Sequence, residues 1–326
     1  MNILYLDCGM GAAGDMLTAA LLELFPQPQK IIDELNTLGV PHVEFSTKKV
    51  SKRGILGTHI SVKIYGEEEH FHDGHPHTHS HHHAHSTLHD IEHILSHMHI
   101  SDDLRTDVVN VYNLIADAES KTHGVPVSEI HFHEVGNLDA IADVTAVCFL
   151  MNKLSPEKVI VSPVHVGSGQ VHCAHGILPV PAPATAHILQ DCPIYGGKIK
   201  GELCTPTGAA LLKYFADDFG EMPVMKVSSI GYGMGKKDFE AANCVRAMLG
   251  HTDDSRDQIA ALSCNLDDMT GEEIGFAMEM LFEGGALDVF TTPVGTKKNR
   301  PAVLLTVLCR TEDEKRMTEL LIRHTT

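Results

Sequence analysis

Ile3, Leu4, Tyr5 and Leu6 make a short apolar run ending at Asp7, which predicts a buried strand from Asn2 to Cys8. Past a turn rich in glycine the period changes. Met16, Leu17, Ala20, Leu21 and Leu24 recur at helical spacing, and a second helix is predicted around Gln29 to Leu38. His42 to Val50 and Ile55 to Tyr65 alternate as half-buried strands do, with Ser51-Lys52-Arg53-Gly54 as their hairpin turn. Ser101 reads as the cap of a long helix to Thr122, with Leu104, Val108, Val111, Tyr112 and Ile115 inward and Gly124 past its end. Leu138 opens another helix, whose apolar side carries Ile141, Val144, Val147 and Cys148. Val159 to Pro163 reads as a strand, and the three prolines between Leu178 and Thr185 predict a stiff, extended approach to a helix near Ala184. Thr205 with Pro206 is an N-cap and first-turn pair for a helix from Ala209 to Phe215.

The pattern breaks at His251 to Asp257, a polar, acidic stretch that predicts a linker between residues 1–250 and 258–326. Beyond it come strand Ile259 to Cys264, helix Glu272 to Phe282, strand Ala286 to Val294, strand Val303 to Cys309 and helix Glu312 to Ile322. That order is ferredoxin-like without its last strand, so a truncated or split chain is expected. The expected class is α/β (α+β): a mixed-sheet N-terminal region and a small, incomplete ferredoxin-like C-terminal unit.

Composition narrows the function. The chain has 326 residues, 43% hydrophobic and 21% charged, enough for two or three domains. A formal charge of -18 argues against a nucleic acid or an anionic membrane as partner. The 8 cysteines form no Cys-x-x-Cys pair, the N-terminus has no basic n-region, and no apolar run spans a bilayer. A cytoplasmic protein with reduced thiols is expected.

Candidate chemistry concentrates in His131-Phe132-His133-Glu134-Val135-Gly136-Asn137-Leu138-Asp139-Ala140-Ile141-Ala142-Asp143. His131 and His133 alternate as on a short strand. Asp139 and Asp143 are four apart, so they share a helix face and repel unless a cation lies between them. Imidazole with carboxylate suits zinc, nickel or iron, and carboxylate alone suits magnesium or manganese. The plainer alternative is a solvated helix start. Gly9, Gly11 and Gly14 spell the dinucleotide fingerprint, but the following helix and the flanking Asp7 and Asp15 argue against it. A metal-assisted phosphate or carboxylate site at the helix N-terminus fits better, with a tight turn alone as the alternative. His172, Cys173 and His175 have local ligand spacing, and the Gly167-Ser168-Gly169 stretch before them could wall a substrate. Glu202, just outside a helix N-terminus, is a candidate base. Gly231 to Lys237, with Lys236 and Lys237, could hold an anion or be a glycine-rich strand edge.

Thirteen of the 24 histidines lie from His70 to His99. The first part is low-complexity loop; from His89 the spacing becomes His89, His93, His97 on one helix face. Neutral imidazoles in this number bind nickel, copper or zinc interchangeably, so a metal-gathering loop that need not be catalytic is expected, with a pH-responsive loop as the alternative.

Four stretches together carry a resemblance: Met1 to Met16, His131 to Asp143, Ala174 to Thr185, and Gly201 to Ala210. They resemble the nickel-insertion proteins of lactate racemase maturation, the cyclometallases of the nickel-pincer nucleotide cofactor. The resemblance runs the length of the chain, although the family continues into a complete C-terminal domain. It implies insertion of Ni(II) into pyridinium-3,5-bisthiocarboxylic acid mononucleotide, with two nickel–sulfur bonds and one nickel–carbon bond formed, and hydrolysis of CTP with Mn(II) or Mg(II). Such a reaction needs a releasable nickel site, a base for the ring-carbon proton and phosphate anchors. His131, His133, Asp139, Asp143, Asp7 and Asp15 are the candidate metal ligands, and Glu134, His175 and Glu202 the candidate bases, unranked. Gly9, Gly11, Gly14, Ser168, Lys236 and Lys237 are candidate substrate contacts. If the C-terminal unit binds CTP, residue chemistry assigns Asp267 and Asp268 to the divalent ion and Lys297, Lys298 and Arg300 to the triphosphate. Lactate racemase or another nickel-pincer enzyme is the expected partner, and a homo-oligomer the expected state. Two rival readings stay open: a nickel store or metallochaperone, and a metal-dependent phosphohydrolase using Asp7, Asp15, His133 and Asp143.

Overall fold

Asn2–Asp7 (β1) is paired along both edges and covered on both faces, with Leu4 and Leu6 in the main core and Ile3 and Tyr5 in a smaller cluster with Ile160 and Met248. The structure is a computed structural model and describes residues 1–68, 86–132, 135–173, 176–252, 259–297 and 300–325. After β1 come α1 (Gly14–Leu22), α2 (Pro28–Leu35), β2 (Val43–Lys52), β3 (Ile55–Ile64), β4 (Glu67–Glu68), α3 (Leu88–Ser96), α4 (Asp102–His123) and α5 (Leu138–Leu154). Then follow β5 (Lys158–Val161), β6 (Val164–His165), β7 (Gly167–Ser168), β8 (Gln170–Cys173), β9 (Gly176–Pro179), α6 (Pro183–Ile188), β10 (Ile194–Tyr195), β11 (Gly201–Glu202), α7 (Pro206–Phe215), β12 (Asp218–Phe219), β13 (Lys226–Met234) and β14 (Cys244–His251).

The chain forms two compact units, Met1–Thr252 and Asp253–Thr326. The main sheet of the first has the order β12-β5-β1-β14-β13-β3-β2, with β4 against β3. It is mixed: β1 runs parallel to β5 and antiparallel to β14. The β2–β3 hairpin turns on Arg53 and Gly54, both left-handed at φ 51° and 83°, so the strands run further into the predicted turn than alternation implied. Ser101 caps α4 through the Leu104 N–H, and Gly124 ends it at φ 67°. The glycines of β13 have a packing cause. A Cβ on Gly231 or Gly233 would collide with the Ala20 or Met16 carbonyl of α1, so the helix lies directly on the strand. That strand sits between β14 and β3, not at an edge. His251 ends β14, inside the stretch predicted as a linker.

The second unit contains β15 (Ile259–Leu266), α8 (Gly271–Glu283), β16 (Asp288–Thr296), β17 (Arg300–Arg310) and α9 (Glu314–His324). Its antiparallel sheet has the order β15-β17-β16, over a core that includes Leu266, Leu281, Leu305, Val307 and Met317. Arg300 and Pro301, expected in a basic turn, pair in register with Thr296 and Gly295.

Candidate functional site

The start of α5 is set by Asn137, whose side chain accepts the Ala140 N–H at 2.8 Å. This cap puts Asp139 in the first turn and Asp143 one turn on. Helix α5 crosses the start of α1 so closely that a Cβ on Gly14 would overlap the Asp143 side chain. There the Asp143 side chain stands beside the backbone N–H of Asp15, which favours its charged form. Asp15, Asp139 and Asp143 are each half-buried. Burial pushes all three carboxyls above their ordinary range, Asp143 furthest because Asp139 and Asp15 also repel its charge. Lys236, just past β13, is the cation whose field favours the charged form of all three. His59 does the same for Asp15, and its Nδ1 lies 2.9 Å from the Met234 carbonyl. Tyr112 closes the inner side: its hydroxyl donates to the Val135 carbonyl at 3.0 Å, and Asp143 and Asp139 add to burial in raising its pKa.

A second group of side chains gathers past the end of β1. Asp7 accepts from Arg246 at 2.6 Å and from the Gly9 N–H at 3.2 Å. His165 Nδ1 is 3.2 Å from the Gly9 carbonyl, and its ring stacks on Tyr195 at 4.7 Å and 6°. His165 Nε2 is buried without a hydrogen-bond partner among the described residues. The thiols of Cys8 and Cys204 are buried nearby; burial, then the Glu202 carboxylate, pushes Cys204 up to about 12.

The predicted residues therefore separate. Asp15, Asp139 and Asp143 come together with Lys236. Asp7 is held by Arg246 and the Gly9 N–H, in the group with His165. Among the described residues no three or more His, Cys, Asp or Glu side chains are arranged to hold a metal ion. His131 is exposed, and Phe132 bridges to Ser86. His133, Glu134, His175 and Lys298 lie outside the described residues. Gly11 and Gly14 are filled against by Leu203 and Asp143, which explains them as close approaches of chain to chain; Gly9 is exposed, with Asp7 and Tyr195 as neighbours. Ser168 Oγ donates to the Ile199 carbonyl at 2.8 Å, and the Lys237 carbonyl accepts from Lys52 at 2.7 Å. Glu202 is half-buried beside Cys204.

In the second unit Asp267, Asp268, Lys297 and Arg300 are exposed. Leu266 pairs with Val303 and Thr296 with Arg300, so the two aspartates and the basic residues stand at one end of the sheet. Asp268 also lines a cavity of about 530 Å³ with Glu272, Glu273, Arg323 and His324.

Sequence reasoning missed His59, Tyr112, His165, Tyr195 and Arg246. Arg246 did leave a signal: it is the one Lys or Arg in the run Cys244–His251, whose other members are mostly apolar.

The nickel insertion protein family model matches residues 4–326. A putative nickel insertion protein of Dictyoglomus thermophilum is 40% identical over 328 residues, covering 100% of this chain and 81% of that protein. The pyridinium-3,5-bisthiocarboxylic acid mononucleotide nickel insertion protein of Clostridium kluyveri is 41% identical over 333 residues, covering 100% and 82%. The one of Geobacillus kaustophilus is 39% identical over 338 residues, covering 100% and 81%. Among solved structures the chain is similar to LarC2, the C-terminal domain of a cyclometallase involved in the synthesis of the NPN cofactor of lactate racemase, in apo form. That similarity is 44% identity over 21% of this chain and 50% of the other, with a TM-score of 0.20. On the match of the family model to nearly its whole length, this chain belongs to the nickel insertion protein family.

Proposed function

We propose that this protein inserts nickel(II) into pyridinium-3,5-bisthiocarboxylic acid mononucleotide. The observation that carries the reading is that relatives bearing this activity in their names align with all of the chain at 39% and 41% identity. Metallation at a ring carbon forms one nickel–carbon bond and releases one proton, while two sulfurs bind the same ion. The site must present nickel, accept that proton and hold the nucleotide still. Asp15, Asp139 and Asp143 make a half-buried acidic cluster that is not arranged as a ligand set, and the cation favouring its charged form is Lys236. Tyr195, 43% exposed and backed by the His165 ring, offers an aromatic face to the cationic pyridinium. Arg246, held by Asp7, is the nearby cation suited to the 5′-phosphate. Glu202 is a candidate proton acceptor beside this group, as are Glu134 and His175 by sequence.

The second unit fits a nucleotide with Mn(II) or Mg(II). Asp268 and Glu272 are oxygen donors on one cavity and suit such an ion, and Arg323 suits phosphate oxygens. The exposed Asp267, Lys297 and Arg300 at the same sheet end extend that chemistry. A divalent ion bound there would neutralise CTP phosphates during hydrolysis. No helix among the described residues is long and apolar enough to cross a membrane. The cysteines are unpaired, which suits a reducing cytoplasm, where lactate racemase or another nickel-pincer enzyme would take the product. We read the working form as a homo-oligomer.

The test is product analysis by mass spectrometry after mixing the protein, nickel(II), the bisthiocarboxylic mononucleotide and CTP with Mn(II). A nickel-containing mononucleotide that has lost the ring proton supports the reading. Nickel bound to protein with unchanged mononucleotide makes it a store, and phosphate release without metallation makes it a phosphohydrolase; either result overturns the proposal.

A further inference from the structure

Helix α3 is fixed on one side and bare on the other. Thr87 and Asp90 form a reciprocal cap at its start, with the Thr87 N–H donating to the Asp90 carboxylate at 2.8 Å. Ile91 and Leu95 point into the core and are fully buried, which sets the rotation of the helix. His89, His93 and His97 are consequently left exposed, one turn apart. The rings of His93 and His97 approach to 4.6 Å between centroids, tilted by 51°. His97 Nδ1 lies 2.8 Å from the His93 carbonyl oxygen. A carbonyl only accepts, so Nδ1 carries the hydrogen, and in the neutral ring Nε2 keeps a lone pair. This is the arrangement imidazole ligands usually have, with one nitrogen donating to a carbonyl and the other facing a metal. The Asp90 carboxylate stands within electrostatic reach of both His89 and His93, and a negative field there favours a cation.

We propose that His93 and His97 form a two-imidazole chelate for a borderline divalent cation, nickel(II) foremost, on the exposed face of α3. Imidazole nitrogen suits nickel, copper and zinc, whereas Mg(II) and Mn(II) prefer oxygen. One ligand from the helix and one from its C-cap residue, held by the His97 Nδ1 contact to the His93 carbonyl, bind more tightly than two independent histidines, because the second bond forms within the molecule. The remaining coordination positions stay with water, so the ion exchanges readily. That is the property of a transfer site and not of a structural one, whose ligand shell is closed. In sequence the pair follows directly on the histidine run that ends at His85. The site requires only a divalent ion, so it stands or falls independently of the cofactor reaction.

The experiment is histidine labelling of the full chain by diethyl pyrocarbonate during titration with nickel(II) chloride, read residue by residue by mass spectrometry. The expected result is that His93 and His97 become protected together, with one midpoint. In His97→Ala the midpoint for His93 moves about tenfold or more to higher nickel, and His93→Ala does the same for His97, as expected when a chelate is reduced to one ligand. Both residues are exposed, so neither variant disturbs the core, and His89→Ala leaves the shared midpoint nearly unchanged. Separate midpoints for His93 and His97, or an unmoved midpoint in either single variant, would overturn the proposal.

Discussion

The side chain of Asp143 packs against Gly14, beside the backbone N–H of Asp15, joining the second turn of α5 to the first turn of α1. That contact brings a third acid to a pair already visible in the sequence, and it takes Asp143 away from bulk water. On an open helix face two like charges at this spacing cost only about 0.2–0.5 kcal/mol. Burial makes the cost of ionising Asp143 larger than that.

Stability should therefore depend on pH through Asp143 with a definite sign. Its folded pKa is raised by burial, then by Asp139 and Asp15. From the ordinary carboxyl value of about 3.9 upward, the folded state holds this proton better than the unfolded state. Stability from this group is thus full at low pH and lost as pH rises through the folded pKa. Asp143→Asn removes the loss, so its melting temperature relative to the parent should climb between pH 4 and pH 8. Each 1 kcal/mol corresponds to about 2–4 °C in a domain of this size. Nickel insertion by the same preparation should fall about 10²-fold. Scanning calorimetry at several pH values decides; a difference that stays flat would mean Asp143 is ionised at no cost, and one that shrinks would mean the fold favours its charge, and either overturns the prediction.

Gly14→Ala tests the same junction from the other helix. The new methyl would overlap the Asp143 side chain, and overpacking of this kind costs about 1–3 kcal/mol. A urea midpoint should drop accordingly, and metallation per folded molecule should drop as the carboxylate is displaced. Gly220→Ala, where a Cβ meets nothing within 4 Å, should leave both unchanged or slightly improve stability. Equal effects at the two glycines would contradict the close approach.

Tyr195→Leu removes the aromatic face while keeping an apolar side chain against His165. The KM for the mononucleotide should rise about threefold to tenfold, with kcat less affected, and Tyr195→Phe should keep most of the binding. Steady-state kinetics on the two variants separates a ring-stacking role from a hydroxyl role. A KM unchanged in Tyr195→Leu would place the pyridinium elsewhere.

Deleting residues 70–85 should lower nickel stoichiometry in equilibrium dialysis but leave cofactor metallation measurable when nickel is in excess. Complete loss of metallation at saturating nickel, with the far-ultraviolet dichroism intact, would show that this stretch takes part in the chemistry.

The local patterns were legible in the chain itself. Continuous apolar residues marked β1, Ser101 and Gly124 bounded α4, and the period after Leu138 placed Asp139 and Asp143 on one side of α5. These features depend on neighbours within a few residues, where dihedral preference and side-chain spacing dominate. Partners distant in sequence were not legible. Nothing local to Asp15 says that it meets Asp143, or that Asp7 turns instead to Arg246, because periodicity reports which face is apolar and not what covers it. The glycines of β13 show the same limit. By sequence they could be an anion loop or a strand edge; packed, they are where α1 rests on the sheet, and Lys236 reaches the acid cluster from the end of that strand. The chain thus determined its elements, its family and one pair of acids. Only the tertiary structure decided which third acid joins them, because burying α1 against both α5 and β13 fixes contacts that no short stretch of sequence contains.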